Sequence, residues 1–325
     1  MTFSFPFTRV FTLLALTLAF ALPAKAEKQG SYTVMVSQIV EHPALDAARN
    51  GLLEGLKDAG YEKGKNLRFT YQTAQGNPAT AAQIARTFVG RNPDVLVGIA
   101  TPTAQALAAA TKEIPIVFTA VTDPVGAKLV ASLAEPGGNI TGLSDMSPIP
   151  QQLRMIRQIL PNAKTIGAVY NPGEANSVSL VNTLKANAGK LGFSVAEAVA
   201  NNTAQVQSAT RNVASKSDVV FALTDNTTTS AFDALMSAAN DVDTPVYGST
   251  ISHVEKGAIA AVGFDYYQIG YQTADYVVEI MLGRNPAELP ARIANGSEVY
   301  VNEGSAAKLG VTLPADLVSS ATKRF

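Results

Sequence analysis

TIGAVYNPGEANS, residues 165–177, holds the pattern on which the fold reading turns. The apolar run Thr165 to Tyr170 is too short for an amphipathic helix and breaks into a polar loop with an amide, a proline, a glycine and a carboxylate. Leu180, Leu184 and Leu191 then fall on one helical face that stops near Gly192. Strand, polar loop and helix follow one another, and the unit recurs. YTVMVS, DVLVGIA, IPIVFTAV, DVVFAL and TPVYGS are further short apolar runs, and Leu45, Leu52 and Leu56 mark another helix closing near Gly60. Strands alternating with helices imply parallel sheets covered on both faces.

The series also occurs twice. Aligning Val36 with Val169 sets VSQIVEH on VYNPGEA, so that Glu41 and Glu174 share an offset after their strands. Aligning Asp94 with Asp218 sets DVLVGIATPT on DVVFALTDNT, and IPIVFTAVTD then matches TPVYGSTISH, with NITGLSD on AIAAVGFD. Four matches in one order predict two similar, doubly wound α/β domains with parallel sheets. The first half ends near Gly142 and the second near Gly263; either glycine serves as a hinge or simply ends a strand. A helix-like run from Tyr266 to Leu282 and the short strand EVYVN close the chain.

At 325 residues and 47% hydrophobic content, the chain is long enough for two cores. A net charge of -1 without basic runs gives no footprint for nucleic acid or an anionic membrane surface. Residues 1–26 read as a cleaved leader: Arg9, an apolar stretch from Val10 to Leu22, then Pro23 and Ala24-Lys25-Ala26 before Glu27. The stretch falls short of the ~20 apolar residues of a membrane span. The absence of cysteine excludes disulfides, thiolate metal sites, a cysteine nucleophile and a lipid anchor on cysteine. The expectation is an exported, freely diffusing, periplasmic protein.

In open parallel sheets, ligands bind beyond the carboxyl ends of the strands, where helices begin. QIVEHP, TPTAQ, TDPVG, NPGEANS, TDNTTTS and FDYY occupy such ends. Thr101 and Thr103 offer hydroxyls at a helix start to a carboxylate, while Glu174, Asp225 and Asp265 offer anions to an ammonium group. An α-amino acid presents both charges. Tyr170, Phe264, Tyr266, Tyr267 and Phe118 stand near the same ends, ready to flank an aromatic side chain or to fill the core. For each polar residue taken singly, capping a helix is the competing role. His42 and His253, the only histidines, read as loop or capping residues rather than as bases or metal ligands. No phosphate-binding loop or dinucleotide fingerprint appears, and no cofactor is implied. Two other classes fit the same residues: a sugar-binding protein of this fold, and a secreted hydrolase using Glu174 with Asp225.

SQIVEHPALDAARNGLLEGLKDAGY, ATPTAQALAAATKEIPIVFTAVTDPVGAKLV, GGNITGLSD, YNPGEANS, TDNTTTSAFDAL and GFDYYQIGYQTADY together resemble the substrate-binding proteins of ABC importers, in the branch linked to aromatic amino acids. The likeness runs from about Ser31 to Pro314. It implies a type I periplasmic binding fold with three crossovers, a non-enzymatic monomer and an inner-membrane ABC permease as partner. It carries Glu41, Thr101, Thr103, Asp123, Glu174, Asp225 and Asp265 to the cleft, with Tyr170 beside them. Residues 27–143 with about 266–290 are expected to form the first lobe, and 144–265 with about 291–325 the second.

Overall fold

A computed structural model describes residues 1–2 and 30–325. The leader read in residues 1–26 therefore lies, but for its first two residues, outside the described residues. The strands are β1 Tyr32–Gln38, β2 Leu67–Thr73, β3 Val95–Ile99, β4 Ile116–Thr119, β5 Ile140–Ser144, β6 Thr165–Tyr170, β7 Ser194–Val199, β8 Val219–Phe221, β9 Val246–Gly248, β10 Ala260–Phe264, β11 Arg292–Ile293, β12 Ser297–Val301 and β13 Lys323–Arg324. The helices are α1 Pro43–Asp58, α2 Pro78–Val89, α3 Thr101–Ala110, α4 Ile149–Ile159, α5 Ala175–Ala188, α6 Thr203–Ala214, α7 Asn226–Ser230, α8 Phe232–Asn240, α9 Ile251–Glu255, α10 Tyr266–Met281, α11 Glu303–Lys308 and α12 Ala315–Ser320. Among the described residues, no helix is long and apolar enough to cross a membrane.

Two sheets result, ordered β11-β5-β4-β3-β1-β2 and β13-β12-β10-β9-β8-β6-β7. All pairs are parallel except β10 with β12. Every residue of β3, β4, β5, β8, β9 and β10 is buried, because helices cover both faces. That is why these segments read as continuous apolar runs instead of alternating ones.

The internal repeat is physical. The Asp94 N–H donates to the Thr33 carbonyl at 2.9 Å while its carboxylate accepts the Thr33 N–H at 2.8 Å. In the second lobe the Asp218 N–H donates to the Thr165 carbonyl at 2.9 Å, and its carboxylate accepts the N–H groups of Lys164 and Thr165. One aspartate thus pins the start of the first strand in each lobe. The loop registers, however, differ from the sequence alignment by one residue. The gap from the end of β1 to α1 equals that from β6 to α5, so His42, not Glu41, takes the helix-capping position of Glu174. The cap before α7 is likewise Asp225, matched in the first lobe by Ala100 before α3 and not by Thr101.

The chain passes between sheets three times: from β5 to α4, from β10 to α10, and from β11 to β12. Gly142 and Gly263 lie inside β5 and β10, so the crossings follow them instead of pivoting on them. A Cβ on either would fall 2.0 Å from a backbone oxygen, of Phe118 and Ser249 respectively, so close strand approach is what each glycine provides. β11 joins the first sheet through β5, which puts the third crossing beyond Ile293, later than the expected 290.

Helices α1 and α10 pack at near backbone contact. A Cβ on Gly270 would lie 1.8 Å from the Ala48 oxygen, and one on Gly51 would lie 2.0 Å from the Tyr267 oxygen. Ala48 meets Gly270 and Gly55 meets Ala274, so the two helices run the same way. Their first turns, with His42, Leu45 and Tyr266, therefore emerge together at the cleft. Gly270→Ala is expected to lower unfolding free energy in urea by about 2 kcal/mol or more through overpacking. Gly189→Ala, at an exposed helical position with nothing near its Cβ, should raise it by about 0.5 kcal/mol.

Candidate ligand-binding site

Between the lobes lies a small cavity, lined from the first lobe by His42, Leu45, Ala120 and Thr122, from the crossings by Asp145 and Tyr266, and from the second lobe by Asn176, Thr224, Asp225, Asn226, Thr229 and Thr250, among others. A larger groove of about 1130 Å³ runs along α10 and β11. It draws on the first lobe alone and holds none of the buried unpartnered polar atoms, so the inter-lobe cavity is the better site.

The lobes are drawn together. Ser179 Oγ of α5 donates to Asp123 Oδ2 at 2.8 Å, Ser147 and Thr224 hydroxyls meet at 3.4 Å, and Ala175 packs against the first core. His42 lines the cavity opposite Asn226 of the second lobe. Its Nδ1 accepts the Leu45 N–H at 3.4 Å, which caps α1.

Two carboxylates face the cavity, and no lysine or arginine lines it. Asp145 Oδ2 accepts the Tyr266 hydroxyl at 2.6 Å and Oδ1 accepts the Thr122 hydroxyl at 3.1 Å. Burial pushes Asp145 up against the pull of those bonds. Asp225 is fully buried; its Oδ2 accepts the Asn171 N–H and the Ser177 hydroxyl, and its Oδ1 accepts the Thr228 N–H at 2.6 Å. Burial first, then the negative charge of Glu174, raises Asp225 to about 7. Each carboxylate oxygen accepts about two hydrogen bonds. Asp145 therefore keeps acceptor capacity on both oxygens, and Asp225 on one.

Asn176 adds a third acceptor. Its Nδ2 donates to the Thr224 carbonyl at 3.2 Å and to Glu174 Oε2 at 3.3 Å, and both partners can only accept. The amide orientation is thereby fixed. Oδ1 is left buried without a partner.

The residues expected from sequence scatter around this cavity. Only Asp225 among them lines it. Glu41 is exposed and accepts from the Tyr71 hydroxyl at 3.2 Å. Thr103 spends its hydroxyl on the Ile99 and Ala100 carbonyls, and Asp265 caps α10 through the N–H groups of Tyr267 and Gln268. Glu174 accepts from Asn176, Asn226 and Thr227, five hydrogen bonds in all, inside the second lobe. Tyr170 is half-buried against the second core. Thr101 has a buried hydroxyl without a partner, as has Ser37 nearby. Of the aromatics, Tyr266 reaches the cavity, Phe118 and Phe264 are core, and Tyr267 is largely exposed. Sequence reasoning did not single out as site residues Asp145, Asn176, His42 and Thr229, which line the cavity. Asp145 and Asn176 stand inside GGNITGLSD and YNPGEANS, so position was legible where contact was not.

Comparison with known proteins agrees with this geometry. A family model described as ABC transporter substrate binding protein matches residues 33–325. A tyrosine-binding protein of Clostridioides difficile is 37% identical over 86% of this chain and 81% of its own. A Vibrio cholerae conserved domain protein superposes with TM-score 0.90 at 61% identity, covering 91% of this chain and 100% of that one. A Streptococcus pneumoniae ABC domain in complex with L-Trp gives TM-score 0.89 at 35% identity over 91% and 100% of the two chains. The ligand-free, open structure of a Clostridium difficile substrate-binding protein gives 0.69 at 36% identity over 90% and 98%. The chain thus superposes more closely on the L-Trp complex than on the ligand-free, open structure. The fold is that of type I periplasmic binding proteins.

Buried His42 is held down to about 4, chiefly by desolvation. Exposed histidine titrates at 6.5, so between those values the unfolded chain takes a proton that the native chain refuses, and stability falls as pH falls. His253, lowered to about 3, acts in the same direction, while Asp225, raised from 3.8 to about 7, acts in the opposite one. A substituted chain isolates one group. Moving from pH 7 to pH 5 should shift the urea stability of His42→Asn relative to wild type by about 2 kcal/mol in favour of the variant. Asparagine keeps the helix cap, and an unchanged difference would mean that His42 is not buried neutral.

Proposed function

The chain belongs to the ABC transporter substrate-binding proteins, and on that premise we propose that it captures a free aromatic α-amino acid between its lobes. It then presents that ligand to an inner-membrane ABC permease. It works as a periplasmic monomer, exported through its leader, and performs no chemistry on what it carries. One observation supports the ligand class above the rest: a cavity with Asp145, Asp225 and the unpartnered Asn176 Oδ1, and with no lysine or arginine in its lining. An ammonium group carries three N–H donors and one positive charge, the complement of those acceptors. The names of two relatives at about the same identity point the same way, one a tyrosine-binding protein and the other a complex with L-Trp.

The hydrolase reading has no such support. A glycosidase needs two carboxylates facing one bond, one of them free to give or take a proton. Glu174 is saturated by its five hydrogen bonds and turned toward α7.

Binding that brings the lobes together should stabilise the protein by mass action, by about 2.7 kcal/mol at a hundredfold excess over the dissociation constant. In a thermal-shift panel of the twenty amino acids and common sugars, tryptophan, tyrosine or phenylalanine should raise the melting temperature most. A response to sugars alone overturns the amino-acid reading. Asp145→Asn keeps shape and removes charge, and should weaken binding of the responding amino acid roughly tenfold to a hundredfold. Calorimetry showing wild-type affinity would remove Asp145 as an ammonium partner.

A further inference from the structure

The buried histidine of the second lobe acts on the ligand through a neighbour, an inference that rests on the amino-acid reading. The His253 ring is 1% exposed and stacks on Phe232, with centroids 4.3 Å apart and planes 8° from parallel. Its Nδ1 accepts the Ser249 N–H at 3.2 Å. A backbone N–H can only donate, so Nδ1 carries no proton, and a neutral ring must hold its proton on Nε2. Burial keeps the ring neutral. Nε2 in turn lies 3.2 Å from Thr229 Oγ1, so the threonine oxygen accepts there.

The Thr229 hydroxyl proton must then point elsewhere. Its neighbour Thr228 turns its hydroxyl back to the Asp225 carbonyl at 3.3 Å, whereas Thr229 Oγ1 has His253 as its one side-chain or backbone partner among the described residues. Thr229 lines the cavity. We propose that His253 is a positioning residue that fixes the Thr229 hydroxyl as a donor into the cavity, where it receives the carboxylate of the bound amino acid. In a cavity without lysine or arginine, a carboxylate must be held by neutral donors, and a donor already oriented loses little freedom on binding. The histidine that looked like a spare capping residue thereby sets the polarity of one end of the site.

Two substitutions separate this role from packing. His253→Gln retains an N–H donor at the position of Nε2, and His253→Asn retains an acceptor near Nδ1 but no donor that reaches Thr229. Neither can stack as the ring does, so a purely structural role predicts equal losses. The expected result is that Gln retains most of the affinity for whichever of L-tryptophan, L-tyrosine or L-phenylalanine binds wild type best, and that Asn weakens it about tenfold. Thr229→Val should weaken it about as much, and should abolish most of the wild-type preference for the amino acid over its decarboxylated amine. Losses from His253→Asn and Thr229→Val should not add in the double variant. Equal losses for Gln and Asn, or an undiminished preference in Thr229→Val, overturn the proposal. The imidazole nitrogen-15 spectrum at pH 7 should show an Nε2-protonated, neutral His253, and an Nδ1-protonated or cationic ring overturns the proposal without reference to any ligand. If none of the three amino acids binds wild type, the ligand reading fails and takes the carboxylate role with it, while the spectrum still decides the ring's tautomer.

Discussion

A carboxylate taken out of water must be neutralised, hydrogen-bonded or paired, and this molecule buries two of them at one inter-lobe cavity that no lysine or arginine lines. Asp145 and Asp225 have accepted some hydrogen bonds and left other acceptor sites unused. Closing the lobes over them costs free energy until a cation arrives. On the proposed reading, a ligand that brings an ammonium group removes that cost. The neutrality of His42 and His253 belongs to the same constraint, because either ring, if protonated, would supply a positive charge of its own.

The rest of the fold holds these groups at one place. The parallel strands of both sheets, all but β12 and β13, direct their carboxyl ends the same way, toward the cleft, and the two-fold repetition supplies such ends from both sides. Glycines at the α1–α10 contact let two helices start side by side, so His42 and Tyr266 meet the cavity together. Asp145 stands where the chain first leaves β5 for the second lobe, and Tyr266 where it returns from β10. The bond between them at 2.6 Å ties two crossings to the ligand cavity.

Strand-to-helix periodicity, the repeat and its Asp94–Asp218 correspondence were legible in the sequence because they rest on burial and on a local backbone latch. The one-residue slip that exchanges Glu41 for His42 was not, since loops have no periodicity to fix a register. Capping and binding use the same residue types, which is why Thr103 and Asp265 looked like ligand groups, while Thr103 bonds back to the end of β3 and Asp265 to the first turn of α10. Glu174 is the instructive case. Its five hydrogen bonds come from three residues of α5 and α7, which only the folded sheet brings together, and no local signal separates a saturated carboxylate from a free one. The unpartnered oxygen of Asn176 exists for the same reason, because Thr224 and Glu174 claim the other end of its amide.

The central claim is that the cavity selects a positive charge. Titration calorimetry of wild-type protein with L-tryptophan and with its desamino analogue, indole-3-propionate, at one pH and ionic strength, tests it most directly. The two ligands share the ring and the carboxylate and differ in the ammonium group. The account predicts that the desamino analogue binds at least about a hundredfold more weakly, the worth of two charge-assisted bonds. Equal affinity of the two would contradict it, and would mean that Asp145 and Asp225 are held by the protein alone.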